Sequence, residues 1–265
     1  MLGLGFGLSV RPRAAAWTGP ASLFAAGEKG AWYDPSDLTS VFQDAAGTVP
    51  ATVDAPVGRL ADKSGRGNHA VQPAASGRPI LREEAGGRRY LEFDGIDDFL
   101  SAGDVLDLET GSTWAVAGVA FANSGDGCVF AKSRTAVQAG RYAMYRYAGN
   151  LESVYTNSGV RAVSAAYAST AAGVLTMRLD RGAATLRQFV NRSLHGTASF
   201  AAESVSHDTA NRFLIGAYND ETDTGIRLPL AGRIYSFIIR HGAPDDGLIA
   251  KAEEHVAGKA GVTLG

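Results

Sequence analysis

Three groups of side chains in this sequence have the types and spacing to do chemistry. Asp62, Asn68, Asp97 and Asp98 carry oxygen ligands of the hard-cation kind on stretches rich in turn residues, and such loops could converge on calcium. Asn123 and Asp126, and Asn219, Asp220 and Asp223, are further oxygen donors of the same sort. Glu92 and Asp94 alternate along one short apolar run, so a strand there places both carboxylates on one face, where paired carboxylates can do acid/base work. Residues 141–147, RYAMYRY, set Tyr142 and Arg146 on one strand face and Tyr145 and Tyr147 on the other. One face packs inward, and the other offers an aromatic surface on which a sugar ring can stack. Each group also has a plainer account. Asp62, Ser64 and Asn68 shape a tight loop by accepting backbone N–H bonds, and the tyrosines serve cross-strand packing.

Other catalytic patterns fail. No Walker loop, nucleophile elbow or paired-histidine metal motif occurs, and the five histidines are scattered singly. The single cysteine, Cys128, sits in an apolar run and reads as a buried structural thiol. It also excludes a disulfide framework and every cysteine-rich zinc pattern. A net charge of -2 with a charged fraction of 20% argues against nucleic-acid binding. No apolar run reaches the roughly 18 residues that span a bilayer, so membrane insertion is not expected. The N-terminal segment makes a poor signal peptide, because Arg11 and Arg13 follow its apolar stretch rather than precede it.

The elements that must position these groups are short strands. Residues 113–121 (TWAVAGVAF) are apolar on both faces, the mark of a central strand covered on each side. Residues 90–93, 174–179, 185–191, 212–217 and 231–240 read as further strands, separated by turns rich in Gly, Asp and Asn. With 45% hydrophobic residues over 265, the core is ample for one large all-β sandwich over residues 28–265. One helix closes the chain over residues 244–258, with acidic groups in its first turn, an apolar stripe of Ile249, Ala252 and Val256, and Gly258 as its stop. Residues 1–27 read as an arm. Leu2, Leu4, Phe6, Leu8 and Val10 alternate with Gly and Ser, giving a strand with one apolar ridge and one nearly bare face. Such a ridge invites association, either with its own sandwich or with another subunit.

Three stretches together resemble laminin-G-like domains: Asp62-Lys63-Ser64-Gly65-Arg66-Gly67-Asn68-His69-Ala70, Leu91-Glu92-Phe93-Asp94-Gly95-Ile96-Asp97-Asp98-Phe99, and the strand opening Leu230-Ala231-Gly232-Arg233-Ile234 before a short helix. The resemblance implies the concanavalin-A-like lectin/glucanase fold, a jelly roll of two antiparallel sheets, with calcium at the sandwich rim. Glucanases of that superfamily carry Glu-x-Asp-x-(x)-Glu on one strand. Here Glu92-x-Asp94 is followed by Gly95 and by Asp97 in place of the last Glu, so hydrolysis through Glu92 and Asp94 stands as the alternative, and the expected protein is not an enzyme. Trp32-Tyr33-Asp34-Pro35-Ser36-Asp37 and the ending Glu254-His255-Val256-Ala257-Gly258-Lys259-Ala260-Gly261 resemble virion proteins of tailed phages, prophages and gene-transfer particles.

The expectation is therefore a virion fibre, spike or decoration, assembled in the bacterial cytoplasm. Its N-terminal arm docks on other virion proteins, and its lectin-like head contacts host cell-surface carbohydrate. By analogy with spikes and fibres it is a homo-oligomer, with a trimer favoured. A purely architectural adaptor without ligand is a third reading.

Overall fold

The computed structural model describes residues 17–132, 139–157, 159–203 and 205–265. The ridge residues Leu2, Leu4, Phe6, Leu8 and Val10 lie outside this set.

Among the described residues, two large antiparallel sheets face each other. The first has eight strands. Seven lie in the order Ser193–Ser199, Thr185–Val190, Gly173–Asp180, Thr113–Phe121, Ala231–His241, Arg89–Asp94, Ile80–Glu83, and Gly30–Tyr33 pairs beside the second half of Ala231–His241. The second sheet has nine, in the order Val160–Ala166, Asn150–Thr156, Tyr142–Tyr147, Gly127–Lys132, Phe213–Ile215, Leu100–Gly103, Ala70–Val71, Arg59–Leu60, Val41–Phe42. Alternation sorts the side chains. Leu175, Met177 and Leu179 point between the sheets and meet Phe130, Tyr142, Met144 and Leu151 from the opposite side. This is the all-β sandwich expected, reached through strands that follow the turn punctuation closely.

The strand Thr113–Phe121 is buried at every residue. Its Ala115, Ala117, Val119 and Phe121 enter the inter-sheet core, while Trp114 and Val116 turn outward beneath the C-terminal helix Asp246–Ala260. Ile249, Ala252 and Val256 of the helix seal that outer face. Gly118 lets the helix come close, because a Cβ there would stand 3.1 Å from Val256 and 3.2 Å from Ala260. The helix starts where expected, with the Asp245 carboxylate accepting the Leu248 N–H at 2.9 Å. It runs through Gly258 and stops at Gly261, which takes the left-handed conformation at φ 67° and donates its N–H to Ala257. An interior glycine lowers helix propensity but breaks nothing by itself.

Within the arm expected over residues 1–27, the structure places residues 17–27 on the body. Pro20–Phe24 forms a single 3₁₀ turn, with Leu23 and Phe24 buried against Trp114, Ile238 and the helix. Among the described residues no helix is long and apolar enough to cross a membrane.

Candidate functional site

The strand Tyr142–Tyr147 divides as alternation requires, and burial decides which face is available. Tyr142 is fully buried, donates its hydroxyl to the Leu106 carbonyl at 2.7 Å, and packs among Phe130, Phe213 and His241. Arg146 is 1% exposed. Its guanidinium lies 4.0 Å over the Phe121 ring and donates to the Gly125 carbonyl at 2.7 Å, to Ser169 at 3.4 Å and to Asn123. Both residues were candidates for the sugar-contacting surface, as the face opposite Tyr145 and Tyr147. They belong instead to the interior, because they share the inward parity of Met144.

Tyr145 and Tyr147 face outward and form part of a pocket of about 290 Å³ with Arg141, Glu152, Tyr218, Arg227 and Leu228. Tyr145 forms the floor, edge-on to Tyr218 at 5.6 Å, over a small apolar cluster of Cys128, Ala131, Ala143 and Val154. Burial foremost, with the charge of Glu152 and a hydrogen bond to it, holds the Tyr145 phenol far above its ordinary ionisation range. Glu152 stands directly opposite Tyr145 in the ladder. Tyr147 is half exposed at the rim. Arg227 is largely exposed, 4.0 Å from Glu221. Leu228 completes the wall at φ 48°, a left-handed conformation that is unfavourable for a branched aliphatic residue. The pocket thus offers aromatic surface, one carboxylate acceptor and guanidinium donors, which together suit the apolar face and hydroxyl rim of a saccharide.

Tyr218, Arg227 and Leu228 were not anticipated. They reach the site through the small hairpin of Tyr218–Asn219 with Ile226–Arg227, which folds over the outer face of the nine-stranded sheet. The turn residues Asp220 to Gly225 signal a hairpin, yet nothing local in the sequence says which sheet it covers.

The four expected calcium ligands separate into two places. Asp62 is buried, and its carboxylate accepts the backbone N–H groups of Trp32 at 3.0 Å, Ser64 at 2.8 Å and Asn68 at 3.0 Å, together with the Ser64 hydroxyl at 2.7 Å. Asn68 donates its amide to the Gly30 carbonyl at 2.8 Å. These contacts make the Asp62 loop a clasp on the strand Gly30–Tyr33, with its oxygen lone pairs already engaged. Asp97 and Asp98 instead join Asp94, the three carboxylates lying within 4.8 Å of one another. Among the described residues, these three carboxylates are close enough together to share one hard cation. Asp98 is nearly buried, and desolvation, opposed by the Asp94 N–H bond and aided by the charges of Asp94, Asp97 and Glu92, raises its pKa to about 6. The other oxygen-rich loops are internally bonded. Asn123 caps Gly125, Asp126 accepts from Ala148, Asp220 from Thr222 and Thr224, and Asp223 pairs with Arg212.

Glu92 and Asp94 do share a face, beside a cleft of about 410 Å³ with Arg82, Asp98 and Asn123. Glu92 is paired with Arg82 at 2.7 Å, and Arg82 also holds Asp54 at 2.6 Å. The Asp94 carboxylate accepts the Ile96 N–H at 2.8 Å, so it shapes the turn that Gly95 begins. Cys128 is buried, and burial lifts its thiol pKa well above the ordinary value.

No protein-family model matches the chain, and no curated protein sequence matches it. Solved structures do share its fold. Domain 4 of AbnA, a GH43 extracellular arabinanase from Geobacillus stearothermophilus, solved in complex with arabinotriose, aligns with a TM-score of 0.56 at 12% identity. That alignment covers 88% of this chain and 98% of that one. The ligand-binding domain of botulinum neurotoxin serotype D, in complex with N-acetylneuraminic acid, aligns with a TM-score of 0.51 at 12% identity over 74% of this chain and 48% of that one. NanB, in a complex with optactamide, gives 0.50 at 12% over 60% of this chain and 26% of that one. The chain therefore spans about half of the neurotoxin chain and about a quarter of NanB, and nearly all of the arabinanase domain. At such identities the likeness is one of fold, a β-sandwich.

Proposed function

We propose that this chain is a non-enzymatic, lectin-like module that binds saccharide in the Tyr145–Tyr147–Tyr218 pocket on the outer face of the nine-stranded sheet. The observation that carries the reading is the pocket itself: two outward tyrosines of one strand, a third from a distant hairpin, and Glu152 and Arg227 at hydrogen-bonding positions around them. The arabinotriose and N-acetylneuraminic acid complexes of two domains of this fold are in keeping with it. So is the engagement of Glu92 by Arg82 and of Asp94 by its own turn, which leaves those carboxylates poorly placed for acid/base work.

The finer reading is that the module is the outward part of a phage or gene-transfer virion protein. The motifs at residues 32–37 and 254–261 and the ridge at residues 2–10 support it. The arm docks on other virion proteins, and an oligomer, a trimer by analogy, multiplies weak contacts to host carbohydrate. Removing residues 2–10 and scoring incorporation into particles tests this part; unchanged incorporation sinks it.

The saccharide reading is tested with a glycan array followed by calorimetry on the best hit. Tyr147→Ala is expected to weaken binding about tenfold, from a stacking contribution of about 1–1.5 kcal/mol. Because Tyr147 is half exposed, the melting temperature should stay within a degree or two. An array without hits, or affinity unchanged in Tyr147→Ala, overturns the assignment.

A further inference from the structure

At one end of the sandwich a lysine is fully enclosed. Lys132 closes the strand Gly127–Lys132 with the same inward parity as Phe130, and its cross-strand neighbours are Tyr142 and Phe213, both buried. Its Nζ lies 2.9 Å from Asp104 Oδ1, 3.2 Å from Asp107 Oδ1 and 2.6 Å from the Asn211 carbonyl. A buried ammonium is a poor stabilising device, since desolvation offsets much of the ion-pair attraction and an apolar side chain fills such a space as well. The arrangement has the parts for a reaction.

We propose that Lys132 and Asp107 condense to an intramolecular amide, with Asp104 carrying the proton. Asp107 is the electrophile. Its Oδ1 is fixed by the Thr209 N–H at 2.9 Å and by the Thr209 hydroxyl at 3.0 Å, two donors aimed at the oxygen on which negative charge develops. Asp104 is half exposed, which leaves a path for water to depart. The Asn211 carbonyl holds the lysine nitrogen in place. Tyr142 donates its hydroxyl to Leu106, fixing the backbone between the two aspartates. His241 lies nearby and is neutral at physiological pH, because burial foremost lowers its pKa to about 4, so it does not compete with Lys132 for the carboxylates.

The step balances without an added reagent. A proton passes from the Lys132 ammonium to the Asp107 carboxylate across their 3.2 Å contact. The free amine attacks Cγ of Asp107, and a C–N bond forms. Asp104 takes a proton from that nitrogen and delivers it to the departing Oδ2 hydroxyl, the C–O bond breaks, and water leaves. Ammonium plus carboxylate becomes amide plus one water, and nothing is oxidised or reduced. Holding nucleophile and electrophile in contact supplies the effective concentration that such a condensation lacks in solution. The product ties the loop after Leu100–Gly103, in the nine-stranded sheet, to the strand that ends at Lys132, and encloses the whole central strand Thr113–Phe121 in a covalent ring.

Intact mass spectrometry of the full chain under denaturing conditions decides the matter. The expected mass lies about 18 Da below that of the sequence, the one water lost. A protease digest should yield a branched peptide joining Lys132 to Asp107. Lys132→Arg and Asp104→Asn are each expected to restore the full mass. The Asp-Gly pairs at 94–95, 126–127 and 246–247 could lose the same mass as succinimides, so the branched peptide and resistance to hydroxylamine separate the two chemistries. Should a variant fail to fold, the wild-type mass still decides. A wild-type chain of full mass, or a deficit mapped to an Asp-Gly pair, overturns the proposal.

Discussion

Replacing Asp98 by Asn isolates the electrostatics of the Asp94–Asp97–Asp98 turn. The Asp98 carboxyl is 5% exposed and has a pKa of about 6 in the folded chain against 3.8 when unperturbed. Below pH 3.8 the group is neutral in both states and burial carries no electrostatic penalty. As pH rises from 3.8 to about 6 the unfolded chain ionises first, so the unfolded state gains relative to the folded one. The contribution is therefore favourable at low pH and lost as pH rises through the folded pKa. A shift of about 2 units corresponds to at most about 3 kcal/mol, since each unit is 1.36 kcal/mol. Asn keeps an oxygen to accept the Asp94 N–H, now at 2.9 Å, and cannot ionise. At pH 7.5, Asp98→Asn should raise the melting temperature by up to about 6–12 °C, and at pH 3.5 by nearly nothing. Thermal melts of both proteins across this range, in the presence of a chelator, give the comparison. The chelator matters because a cation among the three carboxylates favours the ionised form. A stabilisation equal at both pH values, or a loss at pH 7.5, refutes the reasoning.

Three other outcomes follow from the packing. Asp62→Ala strands three backbone N–H groups and one hydroxyl, and should lower stability by about 3–5 kcal/mol in urea titration, whereas Asp97→Ala at the exposed turn should change it by less than about 0.5 kcal/mol. Arg146→Leu removes the donors to three carbonyls and should cost about 3 kcal/mol, while any fully folded fraction keeps its saccharide affinity. Gly118→Val forces the helix away from the central strand and should cost about 1–3 kcal/mol, read as earlier loss of helical circular dichroism on heating.

Much of the architecture was legible before any coordinates. The double-faced apolarity of residues 113–121 implied covers on both sides, and the structure supplies the opposing sheet and the helix. Strand positions followed the turn residues, and the helix start followed Asp245. The site was legible only in part. Alternation separated Tyr145 and Tyr147 from Tyr142 and Arg146, but period two does not reveal which face is inside when both carry tyrosine and arginine-compatible chemistry. The oxygen-rich loops looked alike in sequence. Backbone hydrogen bonds engage Asp62, while Asp94, Asp97 and Asp98 converge a whole turn motif away.

What the sequence determined by itself is what depends on neighbours along the chain: strand periodicity, turn chemistry, caps, and the presence of an apolar ridge at residues 2–10. The tertiary structure alone decided which distant segments meet. It brought the hairpin of Tyr218–Asn219 and Ile226–Arg227 over Tyr145, set Asp104, Asp107, Thr209 and Asn211 around Lys132, and turned Arg146 onto Phe121. The physical reason is that burial and pairing across sheets act between residues scores of positions apart, and no local pattern encodes their partner.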